Sequence, residues 1–123
     1  MIEIKITIEA ALTLLLERMK FELKFRQKGG LIHPNLKLEE LSYDQQLEIV
    51  EAAIFDTILL LPFDLILQET NLVYIITETV KSLSFILKKE QFINYSQKKA
   101  RKLIQPIIKN FASIETNKDF QYN

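Results

Sequence analysis

The sequence predicts an all-α protein, a compact bundle of four to five helices with a proline-broken apolar helix at its centre. Apolar residues recur at three- and four-residue steps along most of the chain, the spacing of one helix face. Two glycines and three prolines leave little room for the turns of a many-stranded sheet. Capping residues mark two of the helix boundaries outright. A chain of 123 residues is one domain by size, long enough to bury a core without staples. Residues 1–114 are expected to form it, with 115–123 as a frayed tail because ETNKDFQYN has no apolar period.

The first helix is expected from about Thr7 to Lys28. Ile8, Ala11, Leu12, Leu15, Leu16, Met19 and Leu23 recur with helical spacing. Thr7 is the expected N-cap, with Glu9 favouring the first turn. Arg26 and Lys28 suit the negative end of the helix dipole, and Gly29-Gly30 offers a left-handed stop. Ala10, Leu14, Phe21 and Phe25 make a second apolar strip on another side. Such a helix packs on two neighbours or lends one face to an interface. The alternation Ile2, Ile4, Ile6, Ile8 would suit a strand, but no partner strand exists for it.

Leu31 to Leu41 reads as a loop turning at His33-Pro34-Asn35. Ser42 and Gln45 then stand in capping-box spacing, and Asp44 adds favourable charge to the helix they open. Asp44, Glu48 and Glu51 form a polar ridge over its first turns. Beyond Glu51 nearly every direction is apolar, from Ala52, Ala53, Ile54 and Phe55 to Ile58, Leu59, Leu60 and Leu61. Pro62 stops or kinks this helix, since it lacks an N–H and its ring clashes with the carbonyl four residues back. Asp64 is the expected cap of a restarted helix.

Leu72 to Lys89 is the next helical pattern, capped by Thr70 or Asn71 and ending on Lys88-Lys89. A break at Asn94-Tyr95-Ser96 would let Ser96 cap a final helix from Gln97 to about Ala112. That helix divides into an apolar face (Ala100, Leu103, Ile104, Ile107, Ile108, Phe111) and a basic one (Lys98, Lys99, Arg101, Lys102, Lys109), with Pro106 on the polar side.

An apolar fraction of 48% and a charged fraction of 26% are those of an ordinary soluble domain. Without cysteine the chain has no disulfide framework, thiolate nucleophile or common zinc cluster, and a cytoplasmic location is expected. The N-terminus carries Glu3 and Glu9 where a signal peptide is basic. No run of about eighteen uncharged apolar residues is present. A span through IFDTILLLPFDLIL would put Asp56 and Asp64 in hydrocarbon, so no membrane span is expected.

The formal net charge of zero is unevenly laid out. Residues 1–30 balance to +2, residues 31–80 to −8 with Lys37 as their single cation, and residues 81–123 to +6. Opposite faces packed as neighbours would account for this, as would acidic and basic parts engaging different partners.

Chemistry-bearing motifs are sparse. His33 is the single histidine, and it lies in a loop beyond Gly29-Gly30 and before Pro34, a solvated position rather than a catalytic one. Glu48 and Glu51 are one helical turn apart, but no histidine motif joins them for a bundle metal site. No phosphate-binding glycine loop and no nucleophile motif are present. Neither cofactor nor metal is expected, and the chain is not expected to be an enzyme.

The expected function is a small protein–protein interaction module, such as a subunit, adaptor or regulator, that self-associates with a dimer favoured. Leu14, Phe21, Phe25, Phe55 and Leu59 are the candidate partner-binding residues, because their apolar surface exceeds what this short chain can cover. The alternative is a nucleic-acid-binding subunit using Lys98, Lys99, Arg101, Lys102 and Lys109 to hold phosphate or an acidic partner. Crowded at the start of a helix, these cations together with exposed amides would attract an anion.

Overall fold

A computed structural model describes the backbone of residues 2–121, with side chains for Lys5 and for residues 7–111. Five α-helices follow one another: α1 (Ile2–Lys28), α2 (Tyr43–Leu59), α3 (Phe63–Ile66), α4 (Glu69–Lys81) and α5 (Lys89–Gln121). A single 3-10 turn, Leu38–Glu40, interrupts the first connection. Among the described residues there is no strand. The fold is the all-α bundle that the apolar spacing predicts.

Four long helices close a ring. α1 packs against α2 and α4, and α5 packs against the same two, while the short α3 rests on α4. Tyr43 meets Phe92 and Glu51 meets Lys99, so α2 and α5 run parallel. Gln97 meets Thr77 and Gln105 meets Glu69, so α4 and α5 run antiparallel. Arg26 near the end of α1 meets Glu48 near the start of α2, which makes that pair antiparallel as well.

The core is built from one stripe of each helix. Ala11, Leu15, Met19 and Leu23 of α1 meet Ile49, Val50, Ala53, Ile54 and Ile58 of α2. Leu72, Ile75, Ile76 and Val80 of α4 and Phe92, Ala100 and Ile104 of α5 join it, and residues of the connections, among them Leu41, Leu61 and Leu83, close it. Thr57, Thr79 and Ser96 are buried too, each hydroxyl donating to the carbonyl four residues back at 2.7–2.9 Å. That internal bond lets a small polar residue sit in the core without an orphaned group.

Several boundaries fall elsewhere than the sequence suggests. Nothing in residues 2–6 breaks a helix, so α1 starts at Ile2, and Thr7 lies buried inside it rather than capping it. The capping box holds: the Gln45 amide donates to Ser42 Oγ and the Ser42 amide donates to Gln45 Oε1. α2 ends at Leu59, and Pro62, not Asp64, occupies the cap position of α3. Asp64 stands in the first turn of α3 without a capping bond.

The larger corrections concern α4 and α5. α4 starts at Glu69, ahead of Thr70 and Asn71, and ends at Lys81. Leu83 and Leu87, whose spacing imitates a continuing helix, belong instead to an irregular segment that buries Leu83 together with Ile86 and leaves Leu87 exposed. Lys88 adopts a left-handed φ of 47°, which turns the chain, and Lys89 opens α5. There is no break at Asn94-Tyr95-Ser96, because Ser96 bonds back to the Phe92 carbonyl within a continuous helix. Pro106 is exposed inside α5, on the polar side as expected. The backbone stays helical past Ala112 to Gln121. The tail expectation for 115–123 falls on side chains outside the described residues.

One buried polar side chain joins the two connections at one end of the bundle. Gln46 is fully buried on α2. Its Nε2 donates to the carbonyls of Leu38 and Phe85 at 3.2 Å each, and its Oε1 accepts from the Leu87 amide at 3.0 Å. All three bonds go to backbone outside the α-helices: Phe85 and Leu87 are irregular, and the Leu38 carbonyl belongs to the 3-10 turn, where it also accepts from the Leu41 amide at 3.4 Å.

Candidate protein interface

The second apolar strip of α1 remains uncovered. At about 100° per residue, Leu14, Phe21 and Phe25 fall within about 40° of one another around the helix. Phe21 is 60% exposed and Phe25 is 65% exposed, while Leu14 is half-buried. On α2, Phe55 and Leu59 share the outer face with Ala52 and Glu48; they are 44% and 54% exposed. The same helix that supplies Ile54 and Ile58 to the core therefore leaves apolar side chains outside. The chain does not cover its most apolar segment by itself.

These two strips turn the same way. The pairs tying α5 to α2 and to α4 fix the hand of the ring. By that hand, the flank of α1 carrying Leu14, Phe21 and Phe25 faces the side of the bundle on which α2 presents Phe55 and Leu59. Arg26 crosses from α1 to Glu48 on that outer face at 3.1 Å while its Nε holds Glu22 at 3.2 Å. Two half-buried charges lie on the flanks. Arg18 of α1 and Asp56 of α2 are both half-buried, and neither has a salt-bridge partner among the described residues.

The basic residues of α5 divide into two groups. Lys99 reaches Glu51 of α2 at 2.8 Å, and Arg101 approaches Glu69 of α4 at 3.6 Å. Lys98, Lys102 and Lys109 are exposed without a salt bridge among the described residues. The charge asymmetry of the sequence is therefore partly spent inside the fold, where acidic α2 and α4 flank basic α5. Nor do the cations crowd a helix start. α5 begins at Lys89, so Lys98 to Lys102 lie well past its first turn, and the amide-assisted anion site expected there is absent.

Glu51 has two neighbours. The hydrogen bond from Lys99 holds its carboxyl below the usual range, helped by a hydrogen bond from Tyr95 and by the lysine charge. The Tyr95 phenol is pushed up to about 12, by burial first and then by Glu51. Glu48 and Glu51 each take a cation from another helix instead of facing a common ligand. His33 sits exposed in its loop, where Nδ1 accepts from the Asn35 amide at 3.2 Å, a local turn contact.

Sequence spacing alone does not reveal some of the surface. Leu60 and Phe63 are exposed around Pro62, and Phe63 meets Phe111 edge-on at 5.6 Å between centroids. The early end of α2 is what turns these side chains out, and only the proline signals it in advance. Arg18 carries no sequence signal, since it reads as one more helix-surface charge.

Among the described residues no helix is long and apolar enough to cross a membrane. No family model matches the chain, and neither a curated protein nor a solved structure matches it.

Proposed function

We propose that this chain is a small non-enzymatic interaction module, a subunit, adaptor or regulator, that self-associates as a dimer through the outer face of α1 and α2. The supporting observation is the exposure of Phe21, Phe25, Phe55 and Leu59 on one side of the bundle. Aromatic side chains of this kind are enriched at the centres of protein interfaces and depleted from ordinary surface. Burying about 400 Å² of such surface contributes around 10 kcal/mol by area, before the costs of association. Light scattering at tens of micromolar tests the reading: twice 14.4 kDa supports it, and a monomer rejects it.

A second reading keeps nucleic acid as the partner. It rests on Lys98, Lys102 and Lys109, which are exposed on α5 and make no salt bridge among the described residues. Phosphate binding of this sort weakens steeply with salt. A gel shift at low salt that shows no complex removes this reading.

A further inference from the structure

We infer that the occupant of the α1–α2 face is a second copy of this chain, related by a two-fold axis that lays α1 of each copy along α2 of the other, with Arg18 of one copy paired to Asp56 of its mate. This rests on the self-association proposed above and adds its geometry.

A two-fold contact presents the same patch twice, so a patch that pairs with itself must hold both signs of charge in complementary places. This one does. The α1 flank carries Arg18, one helical turn from Leu14 and three residues from Phe21. The α2 flank carries Asp56, beside Phe55 and three residues from Leu59. Both charges are half-buried and without a salt bridge, a state in which desolvation is partly incurred and no ion pair offsets it. Crossing α1 of one copy over α2 of the other supplies each with its opposite.

The charges also bear on the occupant. Glu48 and Glu51 of α2 already hold Arg26 and Lys99, whereas Asp56 has no salt bridge among the described residues and calls for a cation from the occupant, which Arg18 of a second copy supplies. Size agrees with a copy as well. The 17 residues of α2 rise about 25 Å, and two helices side by side span about 20 Å. That footprint is several hundred Å², of the order of the roughly 800 Å² per partner that stable complexes bury.

Mixed-chain experiments test the geometry separately from association. R18D alone and D56R alone each place like charges across the axis, so each homodimer is expected to weaken at least tenfold. An equimolar mixture of the two variants restores opposite charges at both contacts, and a heterodimer of wild-type affinity is expected by native mass spectrometry. Since the chain has no cysteine, R18C and D56C chains give a second readout that needs no charge reversal: a mixed disulfide forms on oxidation. A wild-type monomer at tens of micromolar overturns self-association and the geometry with it. A wild-type dimer that both charge variants leave intact, or that they weaken without heterodimer rescue or mixed disulfide, overturns only the α1-on-α2 pairing.

Discussion

The Leu87 amide donates to Gln46 Oε1 at 3.0 Å across 41 positions of sequence. Through that bond and its two donor contacts, one buried glutamine of α2 holds the connection ahead of α2 and the connection ahead of α5 together. Gln46→Ala leaves the Leu87 amide and the Phe85 carbonyl without this partner, while the Leu38 carbonyl keeps the Leu41 amide. A loss of about 3 kcal/mol is expected, since each buried orphan costs roughly 1–3 kcal/mol and some regain water. Gln46→Glu is expected to cost as much at neutral pH, because an oxygen then faces two carbonyl oxygens. Denaturant titration of the two variants checks both values.

Exposed and buried members of α1 should part company. Phe21→Ser and Phe25→Ser remove surface side chains, so the stability of the separated chain should change by less than about 0.5 kcal/mol. Met19→Ala, on the buried stripe, should cost about 2–5 kcal/mol. The double variant F21S/F25S should lose association while keeping its midpoint, a comparison that melting at low and high protein concentration makes directly.

The α2–α5 ion pair is exposed enough to be weak. A double-mutant cycle on Glu51 and Lys99 should give about 0.2–1 kcal/mol, falling as salt is raised. Lys98→Ala, with no salt bridge to lose, should leave stability unchanged.

Tyr95 gives the fold a limit at high pH. Its phenol titrates near 12 in the folded chain, against an ordinary value of 10.0. The folded state therefore keeps its proton where the unfolded chain has released it, so stability is full below about pH 10 and declines as pH rises toward about 12. Tyr95→Phe has no proton to release, and its stability should be flatter between those limits. Chemical denaturation at stepped pH measures the difference.

Much of this architecture is legible in the residues, and the exceptions have identifiable causes. The Ser42–Gln45 box and the Gly29-Gly30 stop act locally, so their effect survives into the fold. The apolar stripe of α1 is readable because its period is unbroken. Leu83 and Leu87 mislead because a loop that plugs a bundle end needs apolar residues just as a helix does, and spacing alone cannot tell them apart. Ser96 misleads because a buried serine inside a helix and a capping serine differ only in what the preceding carbonyls are doing. The exposed strip of α1 and α2 is visible as an excess of apolar directions, whereas the Gln46 contacts join segments too distant for any local pattern to carry.

The Gln46 contact also changes what a loop amide reports. Leu87 lies in irregular backbone between helices, where amides ordinarily trade their hydrogen with solvent through small local fluctuations. Here the acceptor is a side chain locked inside the bundle, so the amide is released only when that end of the core comes apart. Deuterium uptake at Leu87 should thus be far slower than at neighbouring loop amides, turning one loop residue into a clock for the opening of that end of the bundle.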